Sequence, residues 1–144
     1  MDKGLPAMIE SATFPQLKTA LESHLEETRT HAIRLQQVFG VIGVEPKTKS
    51  NDILDKMMGA AKDSISNIED FSLRDAALIV NGNIVEHYEI ALYGSLAAFA
   101  RILGLQNAVT LLEGTLAEEK KADAKLTQLG ESILNSQAAR RQTA

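Results

Sequence analysis

Apolar side chains recur every three or four positions through most of the chain and rarely alternate, so the pattern predicts helices and almost no strand. A short amphipathic piece, Met1 to Ile9, is broken at Ser11-Ala-Thr-Phe-Pro15. Proline is tolerated in a first helical turn, so a second helix is expected to start near Phe14, with Ser11 or Thr13 available as its cap. Its stripe runs Leu17, Ala20, Leu21, Leu25, Ala32, Leu35, Val38 and Phe39, and the glycines and proline of Gly40 to Pro46 end it.

After a polar loop, Ser50, Asn51 or Asp52 is placed to cap a shorter helix carrying Ile53, Leu54, Met57, Met58 and Ile65. Its thin apolar face and Gly59 suit a packed crossover, with the two methionines as core filler. Ser72-Leu-Arg-Asp75 has the form of a capping box and opens the longest apolar pattern. That helix bears apolar residues on most of its circumference, from Leu78 to Leu103, which predicts a central position or a second burial in an oligomer. Gly82 within it implies close helix packing, and Gly104 ends it. The last helix is expected from about Gln106 to Leu134. These elements predict an all-α, ferritin-like four-helix bundle with a helical crossover between the second and third main helices and a shortened first helix. A single domain spans 1–135, and a polar tail, expected to fray, spans 136–144.

Composition narrows the chemistry. The 144 residues suit one domain with one core. With no cysteine, disulfides, zinc thiolates and iron–sulfur clusters are excluded. Fifteen Lys plus Arg against nineteen Asp plus Glu give a net charge of -4, which argues against a nucleic-acid module. No apolar run suits a membrane span, and the N-terminus lacks a secretory pattern, so a cytoplasmic location is expected. No nucleophile–base pair, phosphate loop or dinucleotide fingerprint is present.

The chemistry lies where polar residues interrupt apolar stripes. His24, Thr28 and His31 fall within the stripe of the second helix, with Glu27 at its edge. Glu119 and Asp123 sit between Leu112, Leu116 and Leu126. A buried carboxylate costs several kcal/mol unless paired, protonated or metal-bound. Hard and borderline divalent cations take carboxylate oxygen and imidazole nitrogen, and a bundle core holds two of them between facing helices. Glu27, His31, Glu89, Glu119 and Asp123 are therefore the candidate ligands, with His24 and Glu86 in second rank. The competing reading for Glu119 and Asp123 is an inward ion pair with Lys, Arg or protonated His24 or His31. For Glu86 and His87 it is a surface or dimer-facing position, since Asp75 and Tyr93 share the side of Glu86. Glu22, Glu26 and Glu118 read as solvated, and Lys121 as outward-facing.

Several separated segments then resemble the YciE/YciF family of bacterial stress-induced ferritin-like proteins. They are His24-Leu-Glu-Glu-Thr28 with Arg34-Leu35, Arg74-Asp-Ala-Ala77, Val85-Glu-His-Tyr-Glu-Ile-Ala91 with Tyr93-Gly94, and Leu111-Leu-Glu113 with Glu118-Glu-Lys120, Asp123 and Lys125-Leu-Thr127. The resemblance covers the chain from Leu5 onward. It implies a ferritin-like bundle, a homodimer and a di-metal (Fe or Mn) centre like that of rubrerythrins, and it carries no defined activity. The family's first-helix glutamate would fall just upstream of Met1, so this chain is expected to lack one bridging carboxylate through truncation or a displaced start. Its Glu27-x-x-x-His31 spacing also departs from the Glu-x-x-His of di-iron bundles.

Two functions compete. One is a stress-associated di-metal carboxylate protein acting on a small oxidant. The other is a non-catalytic structural homodimer whose metal site is incomplete, lost or unfilled. An iron-storage cage is disfavoured by the short first helix.

Overall fold

A computed structural model of the chain describes residues 4–131 and Arg140. Five helices follow one another: α1 Gly4–Ser11, α2 Pro15–Ile42, α3 Asp52–Ser66, α4 Phe71–Ile102 and α5 Gln106–Leu129. The described residues contain no strand. The expected helix start at Met1, the extension of the last helix to Leu134, and the tail apart from Arg140 lie outside the described residues.

Helix α5 packs along α4 and also against α2, while α3 crosses over on α4 and α1 rests on α2. The expected connectivity is therefore present: three long helices, a short first one and a helical crossover between α2 and α4. The apolar interior is in two parts. At one end Met8, Leu17, Leu21, Ile65, Leu78, Ile79, Leu126 and Leu129 pack together. At the other, Tyr93, Ala97, Ala100, Ala108, Val109 and Leu112 do so, with Leu35, Val38 and Leu96 against them. Each fully buried leucine contributes about 1.5–3 kcal/mol of transfer free energy. Gly82 meets the first part: a Cβ there would lie 2.7 Å from Leu126 Cδ1 and 3.6 Å from Met8 Cε, which is the close approach its position implied.

Local signals explain most boundaries. Asn51 caps α3 by accepting from Leu54 N at 3.1 Å. Gly43, at φ 69°, closes α2 in the left-handed region where glycine is favoured. Two caps differ from expectation. Asp70, not Ser72, caps α4, accepting from Leu73 N at 2.8 Å. Asp75 is not part of a capping box; it reaches the start of α2 instead. Its carboxylate accepts from Thr13 N at 2.9 Å, Phe14 N at 2.8 Å and Thr13 Oγ1 at 2.6 Å. The local candidates Ser11 and Thr13 do not cap α2, because this acid supplies the anion that a helix N-terminus favours.

Helix α4 is apolar on two faces. Leu78, Ile79, Tyr93, Ala97 and Ala100 turn inward. Val80, Ile84, Leu92, Phe99, Ile102 and Leu103 are exposed in the single chain. The helix is central on one face, and its second apolar face is bare.

Candidate metal centre

Between the two apolar parts lies a polar layer built by α2, α4 and α5. Helical spacing puts His24, Thr28 and His31 on the inner face of α2, Glu86 and Glu89 on that of α4, and Thr115 and Glu119 on that of α5; all seven are buried. Glu119 and His31 have 0% exposure. The Thr28 hydroxyl is used within its own helix, donating to His24 O at 2.9 Å.

The distances define a compact cluster. His24 Nε2 is 3.2 Å from Glu86 Oε1 and 3.5 Å from Glu119 Oε2. His31 Nδ1 is 3.0 Å from Glu119 Oε1. One ligand atom from each of His24, Glu86, Glu89 and Glu119 lies within 4.8 Å of the other three. Proximity does not satisfy these groups. Both oxygens of Glu119, Glu86 Oε2 and His31 Nδ1 are buried without a hydrogen-bond partner in suitable geometry. Buried polar atoms are normally paired, so four atoms in one layer without an aligned hydrogen bond leave donors free for a further partner beside the two imidazoles. Oxygen and imidazole donors in this ratio fit a hard or borderline divalent cation.

Electrostatics points the same way. Burial alone would depress the His24 imidazole, but the hydrogen bond and charge of Glu86, then Glu119 and Glu27, outweigh it and hold the pKa at about 9. Burial likewise opposes protonation of His31, and Glu119 and Glu118 reverse that effect and raise it. Burial raises Glu86 despite the opposing pull of His24. Burial, then the charges of Glu119 and Glu86, lifts Glu89 to about 8. Burial and the nearby Glu89 and Glu119 also push the Tyr93 phenol upward; its ring stands 6.3 Å from that of His31. Without a metal ion the layer is thus held together by protons. A divalent cation would displace them.

The structure distributes the candidate ligands unevenly. His31, Glu89 and Glu119 are in the layer, and so are His24 and Glu86, which ranked second. Glu86 is not on the surface, because the side it shares with Asp75 and Tyr93 is the buried one. Glu27 stays at the edge, 3.3 Å from His24 Nδ1. Asp123 is outside the cluster: it accepts from Asn83 Nδ2 at 2.6 Å and lies 3.1 Å from Nδ1 of the exposed His87. Glu118 is only partly exposed, and its carboxylate is engaged by α2. It accepts from Arg34 Nη2 at 2.9 Å and lies 2.8 Å from His31 Nε2, and the Arg34 hydrogen bond, followed by His31, lowers its pKa. No periodicity marks Arg34 as part of the site, since its partner is 84 residues away.

A family profile described as "Domain of unknown function (DUF892)" matches residues 1–139. The chain belongs to that family. It is 36% identical over 139 residues to protein YciF of Escherichia coli K12, covering 96% of this chain and 84% of that protein. The solved structure of the E. coli stress protein YciF superposes with a TM-score of 0.88, covering 93% of this chain and 85% of that one. A structure of YcfI from Rhodopseudomonas palustris, for which a structural role has been put forward, is 43% identical with a TM-score of 0.85, over 88% of this chain and 80% of that one. No described helix is long and apolar enough to cross a membrane.

Proposed function

We propose that this family member is a stress-associated protein that binds divalent Fe or Mn in its polar layer. The observation that carries the reading is the convergence of His24, Glu86, Glu89 and Glu119, with neither Glu119 oxygen in an aligned hydrogen bond. Those four residues would hold one ion. His31 Nδ1 and the neighbouring Glu119 Oε1 would offer donors to a second, while Glu27 lies beside His24 Nδ1. Asp123, engaged by Asn83, is left out of this assignment. The bound metal supplies Lewis acidity and one-electron redox chemistry toward a small oxidant. The chain's own work is to bind and orient: Arg34 fixes Glu118 and Glu118 fixes His31. The association with stress comes from the similarity to YciF.

The test is metal analysis and thermal unfolding of protein purified without chelators, then reconstituted with Fe(II) or Mn(II). Binding should raise stability by about 2.7 kcal/mol at a hundredfold excess over Kd. In Glu119→Gln the uptake should disappear, and unfolding of the variant should no longer respond to added metal. Fewer than ~0.2 ions per chain with unchanged unfolding would refute the reading, since a bound ion must stabilise the folded state.

A second reading is a structural homodimer without metal. It is favoured by the bare outer face of α4, where Val80, Ile84, Leu92 and Phe99 form an apolar stripe. Light scattering should then give two chains per particle whether or not metal is added.

A further inference from the structure

Hydrogen bonds fix the height at which the crossover helix α3 lies along α4. Near its C-terminal end, Ser64 Oγ accepts from Asn81 Nδ2 at 3.1 Å. At its other end Asn51, which caps the first turn, meets Tyr88: Asn51 Nδ2 donates to the phenol oxygen at 2.9 Å, and the hydroxyl lies 3.1 Å from Asn51 Oδ1. Tyr88 stands between Glu86 and Glu89 on α4, within about 3 Å of rise of each, so the N-terminal end of α3 is level with the polar layer. Between α3 and the long helices is a cleft of ≈ 1130 Å³ to which α3 contributes Leu54, Met58 and Ile65. His24, Glu86 and Glu89 line the same cleft and are only 6%, 3% and 5% exposed.

The two ends of α3 are held unequally. The C-terminal end enters α4 through the short turn 67–70, where Ile68 O accepts from Arg74 Nε at 3.0 Å and from Arg74 Nη2 at 2.8 Å. Ala61 and Ile65 are buried in that half. The N-terminal end follows an exposed segment, 43–50, and has Leu54 as its one buried side chain besides the Asn51–Tyr88 contact. A 15-residue helix is marginal in water once undocked, so lifting this end also frays it.

We propose that α3 is a hinged flap over the polar layer: the turn 67–70 is the hinge, Asn51 and Tyr88 are the latch, and lifting of the latched end opens the way to His24, Glu86 and Glu89. Moving elements are drawn from the weakly packed parts of a fold, and this end of α3 is one. The flap stands on packing and hydrogen bonds alone. Its service as the entry route of a cation rests on the metal reading.

The experiment uses the full chain in EDTA, with amide hydrogen exchange read by mass spectrometry. In the wild type, amides 55–59 should exchange faster than 62–66, and both faster than those of α5. Tyr88→Phe keeps the ring and removes the latching hydroxyl, so it should speed exchange at 55–59 about 5- to 10-fold and leave α5 unchanged. Asn51→Asp keeps an acceptor for both Leu54 N and the Tyr88 hydroxyl and should exchange no faster than wild type. Asn81→Ala, at the hinge end, should leave 55–59 unchanged. The chain has no cysteine, so Val85→Cys on the cleft wall reports access to the layer by its rate of thiol labelling. Adding Tyr88→Phe should speed that labelling by the factor seen in exchange. Acceleration spread equally over α3 and α5 would be a loss of global stability and would overturn the flap, as would a wild type whose latched end exchanges as slowly as α5. Equal effects of Tyr88→Phe and Asn81→Ala at 55–59 would mean that α3 detaches whole, and would overturn the hinge. Labelling indifferent to Tyr88→Phe would overturn the opening onto the layer. If Tyr88→Phe does not fold, the order of exchange in the wild type decides. Mn(II) then separates the two readings: Tyr88→Phe should speed uptake and release equally at unchanged Kd, and unchanged rates would overturn the entry route. No uptake by the wild type, with exchange as expected, would refute the metal reading and leave the flap standing.

Discussion

The pKa of Glu89 makes the metal-free protein's stability fall as pH rises. Its carboxyl group titrates at about 8 when folded against 4.5 in a free chain, because burial and the charges of Glu119 and Glu86 disfavour ionisation. The native state therefore holds this proton more tightly than the unfolded state. The stabilisation is complete below about pH 4.5 and is lost as pH climbs through 8. Across the whole window the 3.5-unit difference, at 1.36 kcal/mol per unit, amounts to roughly 5 kcal/mol. Between pH 6 and pH 8 it comes to about 2 kcal/mol. Glu89→Gln removes the titration while keeping the shape, so its curve should lose that part of the slope and lie above wild type at pH 8. Urea unfolding in EDTA at pH 5, 6, 7, 8 and 9 measures it. His24, raised to about 9, adds a fall in the same direction above pH 6.5, which Glu89→Gln should leave in place. Parallel curves for wild type and variant would refute the assignment of a buried proton to Glu89. So would a wild type that gains stability from pH 6 to 8.

Three other outcomes follow from particular contacts. Asp75→Ala removes three hydrogen bonds at the start of α2 and should cost about 3 kcal/mol in urea unfolding, with Asp75→Asn intermediate. Gly82→Ala pushes a methyl group against Leu126 Cδ1 and should cost about 1 kcal/mol, net of better helix propensity; in a Leu126→Ala background the same change should stabilise. Arg34→Met frees Glu118 and loosens His31, so metal affinity by titration calorimetry should drop about 10- to 100-fold while the fold is kept.

How much of the site is legible in the sequence depends on the helix concerned. On α2 one clear apolar stripe marks the inner side, and His24, Thr28 and His31 can be placed inward from spacing alone. On α4 apolar residues occupy both faces, so a helical wheel shows which residues share a side but not which side is buried. The surface expectation for Glu86 fails for that reason. Asp75 and Tyr93 suggest an outer face by residue type, yet the acid caps a distant helix and the ring stands beside His31. Glu118 does point away from the central stripe, but Arg34 on α2 meets it there, and a long-range partner leaves no periodic trace. Asp123 sits four residues from Glu119, near enough in angle to share a stripe, while Asn83 draws its carboxylate to the edge.

The acid of α4 that anchors the first turn of α2 acts across 62 residues of chain, so the side-chain cap of that turn is not local. The height of both imidazoles is thus set by an encounter between distant segments, made only once α4 has docked. Such non-local closure is slow compared with helix formation itself. A partly folded chain should therefore carry helical structure without an assembled polar layer. Cations present during refolding would then act late, capturing the finished protein without seeding it.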